Sequence, residues 1–145
     1  MGITSVLLDT HILLWWLFND PRLPREIKTV LEDVDNPVYV SAASVWEIST
    51  KFRLGKLPEA SSVARNVPLW ITKAGFRPLA ISPEHAQLAG NWDILHRDPF
   101  DRMLAAQAKI EKMPLATVDK VMEFFSVDLF PPRSPCVFMG SNLDL

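Results

Sequence analysis

The sequence alternates short apolar segments with helical patterns, and acidic residues mark several junctions between the two. The first apolar segment, residues 3–8, is rich in β-favouring side chains and ends at Asp9. Strands that alternate with helices predict a parallel sheet covered by helices on both faces. The carboxyl ends of parallel strands meet along one edge of the sheet, where such folds usually place a site. The sequence therefore predicts an α/β protein of three layers with a functional site at that edge.

The remaining elements follow from hydrophobic spacing and from capping signals. Ser41 is predicted as the N-cap of a helix, Pro68 suggests a break within another, and Gly75 is predicted to end it. The predicted strands are residues 3–8, 38–40, 77–81 (an edge strand), 115–117 and 127–129. The predicted helices are residues 11–18, 24–34, 42–52, 60–74, 83–90, 100–112 and 120–125.

Size and charge restrict the possible functions. With 145 residues the chain is expected to form one domain. A formal charge of −2 argues against a strongly cationic nucleic-acid binder, so phosphate would be contacted through a local basic patch or a bound metal. The single cysteine, Cys136, excludes an internal disulfide and fits a reducing cytosol. The apolar run 12–18 is too short to span a bilayer. We expect a cytoplasmic protein that does not enter a membrane.

Four acidic residues fall at this kind of junction: Asp9, Glu47, Asp101 and Asp119. Two carboxylates about 4 Å apart repel by on the order of 4 kcal/mol at an effective dielectric near 20, so a cluster of them favours a divalent cation. A set of oxygen ligands selects Mg²⁺ or Mn²⁺. The sequence lacks the H-x-x-x-H and C-x-x-C spacings of zinc sites. We therefore predict a Mg²⁺ (or Mn²⁺) site held by the four acids.

Each acid also has a simpler interpretation as a helix cap. Glu47 follows Ser44 in an S-x-x-E capping-box pattern, which would start that helix at Ser44. Asp98 is placed to cap the helix that Pro99 opens, and Asp101 falls in its first turn, where the helix dipole favours an anion. Asp9 and Asp119 could act as caps in the same way. Asp98 is the better cap of its pair, whereas Asp101 lies one turn further in and is free to point into a site.

Hydroxyl and imidazole groups accompany the acids. Thr10 directly follows Asp9 and Thr117 stands two residues before Asp119, so either could orient a carboxylate or cap a helix. His11 and His96 are possible ligands or acid–base groups.

Basic residues near two of the acids could form a track for phosphate groups. Each could equally belong to a solvated surface with ordinary salt bridges. The residues that could form this track are Lys51, Arg53, Lys56, Arg97 and Arg102.

Several motifs resemble one family. Residues 7–15 (LLDTHILLW) resemble the opening of PIN-domain proteins of the VapC toxin type, and residues 40–48 (VSAASVWEI) continue the match. It resumes at residues 96–108, where the His-x-Asp-Pro-Phe-Asp-Arg block is the most specific part, and it closes at residues 115–119. The resemblance covers roughly residues 3–130.

The resemblance implies a ribonuclease that cuts RNA with Mg²⁺ or Mn²⁺ and is held inactive by a cognate VapB-type antitoxin. It implies the same acidic quartet as catalytic residues and metal ligands, with Asp98 as an accessory acid of the same block. It further implies that the basic residues of the phosphate track contact RNA. It also implies a homodimer, which suits the first helix because residues 12–18 are entirely apolar. Residues 1–130 would form the nuclease domain and residues 131–145 a tail beyond the usual family end. Val118 also departs from the family pattern, since a small or polar residue is more usual before the last acid.

Two other classes of function fit the sequence less well. A phosphatase with a covalent aspartyl-phosphate at Asp9 normally needs a second acid two residues later, and His11 occupies that position. A module of the same fold that binds RNA or protein without cutting would gain little from four repelling charges.

Overall fold

The computed structural model describes residues 5–133, and a five-stranded parallel sheet forms their centre. The strand order is β3-β2-β1-β4-β5, and every neighbouring pair is parallel. The strands are β1 (Val6–Leu8), β2 (Val38–Ser41), β3 (Arg77–Leu79), β4 (Leu115–Ala116) and β5 (Leu129–Phe130). The predicted fold class and the edge position of β3 are confirmed. Ile3 and Thr4, at the start of the first predicted strand, lie outside the described residues, as do Cys136 and most of the predicted tail.

Helices connect the strands and cover the sheet. They are α1 (Thr10–Leu17), α2 (Arg25–Glu32), α3 (Ala42–Arg53), α4 (Ser61–Ala64), α5 (Val67–Lys73), α6 (Pro83–Asn91) and α7 (Pro99–Glu111). Short 3-10 helices occupy Pro58–Ala60 and Lys120–Phe124. None of the helices described here is long and apolar enough to cross a membrane.

The predicted helix 60–74 is wrong in its detail, because the chain there forms a 3-10 turn and two separate helices. The break lies at Arg65 and Asn66, and the Asn66 side chain caps α5 by accepting a hydrogen bond from the backbone N–H of Leu69. Pro68 then falls in the first turn of α5, where no intrahelical partner is needed for its nitrogen. The proline therefore belongs to a helix start and does not break a continuous helix.

Strand β1 lies between two hydrophobic clusters, one on each face of the sheet. Val6 and Leu8 point to the cluster that includes residues of α1, α2 and α5, and Leu7 points to the cluster that includes residues of α7. Successive side chains of a strand alternate between faces, so this apolar strand is buried on both sides. Its carboxyl end consequently delivers Asp9 to a position surrounded by other elements.

Helix α1 is buried along one side only. Ile12, Leu13 and Leu14 are buried, whereas Trp15 and Trp16 are half-buried. The Trp16 ring lies 6.1 Å from the Phe76 ring, and the guanidinium of Arg22 lies 5.2 Å from the centre of the Trp15 ring. Phe18, just after the helix, is 40% exposed. A partner for the outer side of α1 stays a prediction.

The capping predictions have different outcomes at two serines. Ser41 caps α3, because its hydroxyl accepts a hydrogen bond from the N–H of Ala43. The capping box at Ser44 is wrong: Ser44 is buried inside α3, and its hydroxyl lies 2.9 Å from that of Thr10. Asp98 caps α7 as predicted, since one of its oxygens accepts from the N–H groups of Phe100 and Asp101.

Loss of the Asp98 cap should weaken the fold by a predictable amount. We expect Asp98→Ala to lower the free energy of unfolding by about 1 kcal/mol, and Asp98→Asn to change it little because asparagine caps almost as well. Urea denaturation measures both values. Asp93→Ala removes an exposed acid from the preceding segment and serves as the control. Equal losses in Asp98→Ala and Asp93→Ala would contradict a capping role.

Candidate functional site

Asp9 occupies the carboxyl end of the central strand. Its backbone N–H donates to the carbonyl of Ala116 at 2.9 Å, which ties it to β4. Its side chain does not cap α1, although the residue stands at the N-cap position. The hydroxyl of Thr117 instead donates to Asp9 Oδ2 at 2.5 Å. Asp9 is 7% exposed, so this carboxylate is nearly buried and is held by one neutral donor.

Glu47 reaches the same edge from α3. It is 5% exposed, and both of its oxygens have partners. Thr10 donates to Oε1 at 2.6 Å, and the ammonium of Lys51 donates to Oε2 at 2.5 Å. Ser44, one turn before Glu47, holds the Thr10 hydroxyl. The Glu47 carboxylate therefore has a fixed orientation.

Each of the two threonines donates a hydrogen bond to an acid that is not the nearest one in sequence. Thr10 follows Asp9 in sequence but contacts Glu47, and Thr117 precedes Asp119 but contacts Asp9. Thr117 also accepts a hydrogen bond from the backbone N–H of Asp119 at 3.0 Å. These contacts join α1 to α3, and the segment after β4 to the end of β1. The hydroxyls thus bind carboxylates, as one of the two sequence interpretations expected.

Asp101 and Asp119 differ in their surroundings. Asp101 lies in the first turn of α7, and its Oδ2 is 2.8 Å from Nε2 of His96. Asp119 is exposed and caps the following 3-10 helix by accepting from the N–H of Val121 at 3.0 Å. Asp98 and Asp119 therefore act as caps through their side chains, whereas Asp9 and Asp101 do not.

Burial and mutual repulsion alter the protonation of two acids. Burial raises the pKa of Asp9; the Thr117 hydrogen bond and His11 oppose the shift, and the carboxylates of Glu47 and Asp119 add to it. Burial also raises the pKa of Asp101 to about 6, against the His96 hydrogen bond and with the help of Asp98 and Asp9. Asp9 is thus electrostatically coupled to all three other members of the quartet. We refer to these four residues below as the acid cluster.

Lys51 supplies positive charge to this cluster. Burial, the largest single effect, lowers the pKa of its ammonium, and the hydrogen bond to Glu47 opposes that effect. The charges of Glu47, Asp98 and Asp101 raise the pKa further, so the ammonium is held above its usual value. Lys51 is half-buried and its ammonium contacts the Glu47 carboxylate. This position differs from the phosphate track that the sequence suggests for Lys51.

The other predicted RNA-contacting residues divide into two groups. Arg53, Lys56 and Arg97 are exposed, as a phosphate track requires. Arg102 needs a correction, because its guanidinium donates to four backbone carbonyls. These carbonyls belong to Ala89, Trp92, Ile94 and His96. Arg102 therefore fixes the irregular segment between α6 and α7, and we no longer place it among the residues that contact RNA.

The donor set suits a hard divalent cation in chemistry, because it consists of carboxylate oxygens. In the arrangement described for residues 5–133, no three Asp, Glu, His or Cys side chains form a group ready to hold one ion. The carboxylates have other partners in this arrangement: Glu47 contacts Lys51 and Thr10, Asp101 contacts His96, and Asp119 caps its own 3-10 helix. A cation that binds Glu47 at Oε2 would compete with the Lys51 ammonium for that oxygen.

Sequence reasoning missed two contributors to this site. Ser44 was considered only as a cap, although its position one turn before Glu47 on the same helix could have indicated a role beside that acid. Arg133 lies in the predicted tail, yet it donates to the carbonyl of Thr117 at 3.2 Å and to the carboxylate of Glu123 at 3.0 Å. No pattern in the sequence indicates that contact.

A parallel sheet with clustered carboxylates at its carboxyl edge defines the class of protein, and the comparisons with known proteins agree. A sequence model of the PIN domain family matches residues 6–127. Because the match covers most of the chain, the protein belongs to the PIN domain family.

Individual relatives extend this result. The chain is similar to Ribonuclease VapC16 of Mycobacterium tuberculosis (strain ATCC 25618 / H37Rv), with 40% identity over 69 residues. That match covers 45% of this chain and 49% of the relative, so the chain spans about half the length of that protein in the alignment. The crystal structure of VapBC2 from Rickettsia felis bound to a DNA fragment from their promoter has a TM-score of 0.62 at 15% identity, covering 86% of this chain and 96% of that one. FitAcB from Neisseria gonorrhoeae has a TM-score of 0.59 at 20% identity and the same coverage. At these identities the structural likeness shows the fold alone.

The contact between Lys51 and Glu47 predicts a competition between the ammonium and a metal ion. Lys51→Met should lower the melting temperature in a chelating buffer, because Glu47 then lacks its cation. Mn²⁺ should raise the melting temperature more in this variant than in the wild type, because the ion no longer has to displace an ammonium.

Differential scanning fluorimetry across a Mn²⁺ titration measures both effects, and Lys56→Met, which changes an exposed lysine, is the control. The same Mn²⁺ response in wild type and Lys51→Met would show that Lys51 does not oppose metal binding.

The raised pKa of Asp101 predicts a pH-dependent stability. The pKa of the Asp101 carboxyl is about 6 in the folded protein, whereas its ordinary value is 3.8. The folded state therefore binds this proton more tightly, and protonation of Asp101 stabilises the fold. This contribution to stability is fully present below about pH 4, and it is lost as the pH rises through about 6. Asp101→Asn should therefore be more stable than wild type at pH 7.5, by up to about 3 kcal/mol, and should lose that advantage near pH 4.

Urea denaturation at several pH values in metal-free buffer tests this expectation. Asp35→Asn, which changes an exposed acid between α2 and β2, is the control. A stability difference that does not change between pH 4 and pH 7.5 would contradict it.

Proposed function

We propose that this protein is a metal-dependent endoribonuclease and the toxin component of a type II toxin–antitoxin system. The observation that carries the proposal is the pair of nearly buried carboxylates at the carboxyl edge of the sheet, Asp9 and Glu47, each of which accepts a hydrogen bond from a threonine hydroxyl. Buried carboxylates of like charge are costly unless a cation joins them, and a phosphodiester can approach them only with such a cation present. Membership of the PIN domain family supports the same function.

In this proposal the quartet holds Mg²⁺ or Mn²⁺. Held by these acids, such a cation would supply a water of lowered pKa and a counter-charge for the leaving oxygen. Thr117 fixes the orientation of Asp9, and Thr10 together with Ser44 fixes that of Glu47. His96 sets the position of Asp101. Preorganised ligands of this kind reduce the rearrangement that binding requires.

RNA as the substrate is the part of the proposal that depends on the relatives. Ribonuclease VapC16 is named for that activity, and the stretch it shares with this chain is 40% identical. The exposed Arg53, Lys56 and Arg97 are available to contact RNA phosphates. Because the net charge is −2, these local cations and the metal would have to supply the attraction to phosphate.

The proposed partner is a cognate VapB-type antitoxin, and the proposed location is the cytoplasm. The VapBC2 structure, described with a DNA fragment from a shared promoter, supports a two-component system. A homodimer is also part of the proposal. Phe18 and the half-buried Trp15 leave apolar surface at one end of α1, which either partner would cover.

Cleavage of RNA tests the proposal directly. The purified chain should cut a mixed-sequence RNA in the presence of Mn²⁺, and a chelator should abolish cutting. Asp9→Asn and Asp101→Asn should lower cleavage to background, because each removes a proposed ligand. Asp98→Asn is the matched control and should retain most activity, since Asp98 caps α7.

The alternative functions give different results in the same assay. Cutting that persists with the chelator or in Asp9→Asn would contradict the metal-dependent mechanism. Binding of RNA without cutting would indicate a binding module, and release of phosphate from a phosphomonoester would indicate the phosphatase.

A further inference from the structure

Two aromatic side chains in contact, one of them exposed, directly precede two of the acids in sequence. The Trp46 and Phe100 rings are 4.8 Å apart at an angle of 75°, an edge-to-face contact. Trp46 directly precedes Glu47 on α3, and Phe100 directly precedes Asp101 on α7. The pair therefore joins the two helices that carry two of the proposed metal ligands, on the side that faces the solvent.

Trp46 is open to solvent to an extent that is unusual for tryptophan. It is 57% exposed, whereas Phe100 is half-buried and supports it. An edge-to-face contact leaves at least one face of the indole uncovered by its partner. An exposed indole face is a surface on which a flat nucleobase can stack.

The surroundings of Trp46 fit a nucleic acid better than an apolar helix of a protein partner. The same face of α3 continues through Ser49 and Arg53, one and two turns further along, and both are exposed. Arg53 lies about 10 Å from Trp46 along the helix axis. Arg97, also exposed, precedes Phe100 by three residues. An aromatic face flanked by cations is the usual arrangement for single-stranded nucleic acid, in which bases stack while phosphates meet basic groups.

We propose that the Trp46–Phe100 pair is a base-stacking platform for a nucleotide adjacent to the scissile phosphate of single-stranded RNA. The proposal rests on the proposed ribonuclease function. It names Trp46 as a residue that favours single-stranded over duplex RNA. A phosphodiester held at the acids brings the neighbouring base to the rim where Trp46 stands. Duplex RNA keeps its bases within the stack, so only an unpaired base can use this surface.

RNA binding can be measured without cleavage in the Asp9→Asn background. The probe is a short fluorescein-labelled single-stranded RNA of mixed sequence, and a matched series carries one abasic unit at each position in turn. Fluorescence anisotropy should show roughly tenfold weaker binding in Trp46→Ala, a loss typical of one stacked base. Trp46→Phe should keep most of the affinity, and Trp46→Leu should lose it although it stays apolar. Leu69→Ala, an exposed apolar residue of α5, is the control.

The abasic series identifies the contact. One abasic position should weaken binding to the protein that retains Trp46, and the same position should have no further effect in Trp46→Ala. Additive effects of the two changes would show that the missing base does not stack on Trp46, and would overturn the proposal. Equal affinity of Trp46→Leu and the protein with Trp46 would do the same, because it would assign the surface to apolar contact.

Two further outcomes separate this proposal from the proposed function. If the wild-type chain cuts RNA and Trp46→Ala binds and cuts it equally well, the platform is wrong and the ribonuclease function stands. If Trp46→Ala binds RNA normally but no longer associates with a co-expressed antitoxin, the surface belongs to a protein partner and the platform is again wrong. If wild type neither binds nor cuts RNA, the proposed function itself fails.

Discussion

Carboxylates at the carboxyl edge of the sheet repel one another, and the other residues of the site stabilise them. Asp9 and Glu47 are nearly buried, and a buried charge without a hydrogen-bonding partner is strongly unfavourable. The chain meets this cost with one donor at Asp9, the hydroxyl of Thr117, and with two at Glu47, the hydroxyl of Thr10 and the ammonium of Lys51. The two hydroxyls are neutral, so they orient the carboxylates without cancelling their charge. Lys51 is the only one of the three donors that does cancel charge, and it is also the donor that a cation would replace.

The segment between α6 and α7 shows how the fold supports Asp101. This segment has no regular secondary structure after Asn91, so its carbonyls cannot be satisfied by a helix or a sheet. Arg102 donates to three carbonyls of this segment, and to that of Ala89 near the end of α6, with one planar guanidinium. One of them belongs to His96, whose ring contacts Asp101. Arg102 therefore acts on the site through the backbone, and a lysine could not reproduce the contacts because it lacks the planar fork.

The fold could be predicted from the sequence to the extent that its signals are local. The Ser41 cap, the Asp98 cap and most strand and helix patterns depend on residues close together in sequence, and they appear in the structure, whereas the predicted helix 60–74 is divided. The contacts of the site were not accessible in this way. Thr117 and Asp9 are 108 residues apart, and nothing near Thr117 distinguishes Asp9 from Asp119 as its partner. Arg102 illustrates the same limit, because an arginine beside an acidic motif fits a phosphate contact and a backbone contact equally well until the surrounding chain is placed.

A weakly negative protein can still bind RNA if most of the binding does not depend on attraction between its net charge and the RNA phosphates. A net charge of −2 gives little general attraction to nucleic acid, and contacts between proteins and phosphates weaken as salt increases. Stacking on an aromatic side chain depends much less on salt, because it involves no charged group. With Arg53, Lys56 and Arg97 as the exposed cations of the predicted track, phosphate contacts would be few. An enzyme of this kind would hold its substrate mainly through the cation at the acids and the base at Trp46. Both contacts favour an unpaired strand with one phosphate at the metal and its neighbouring base turned outward.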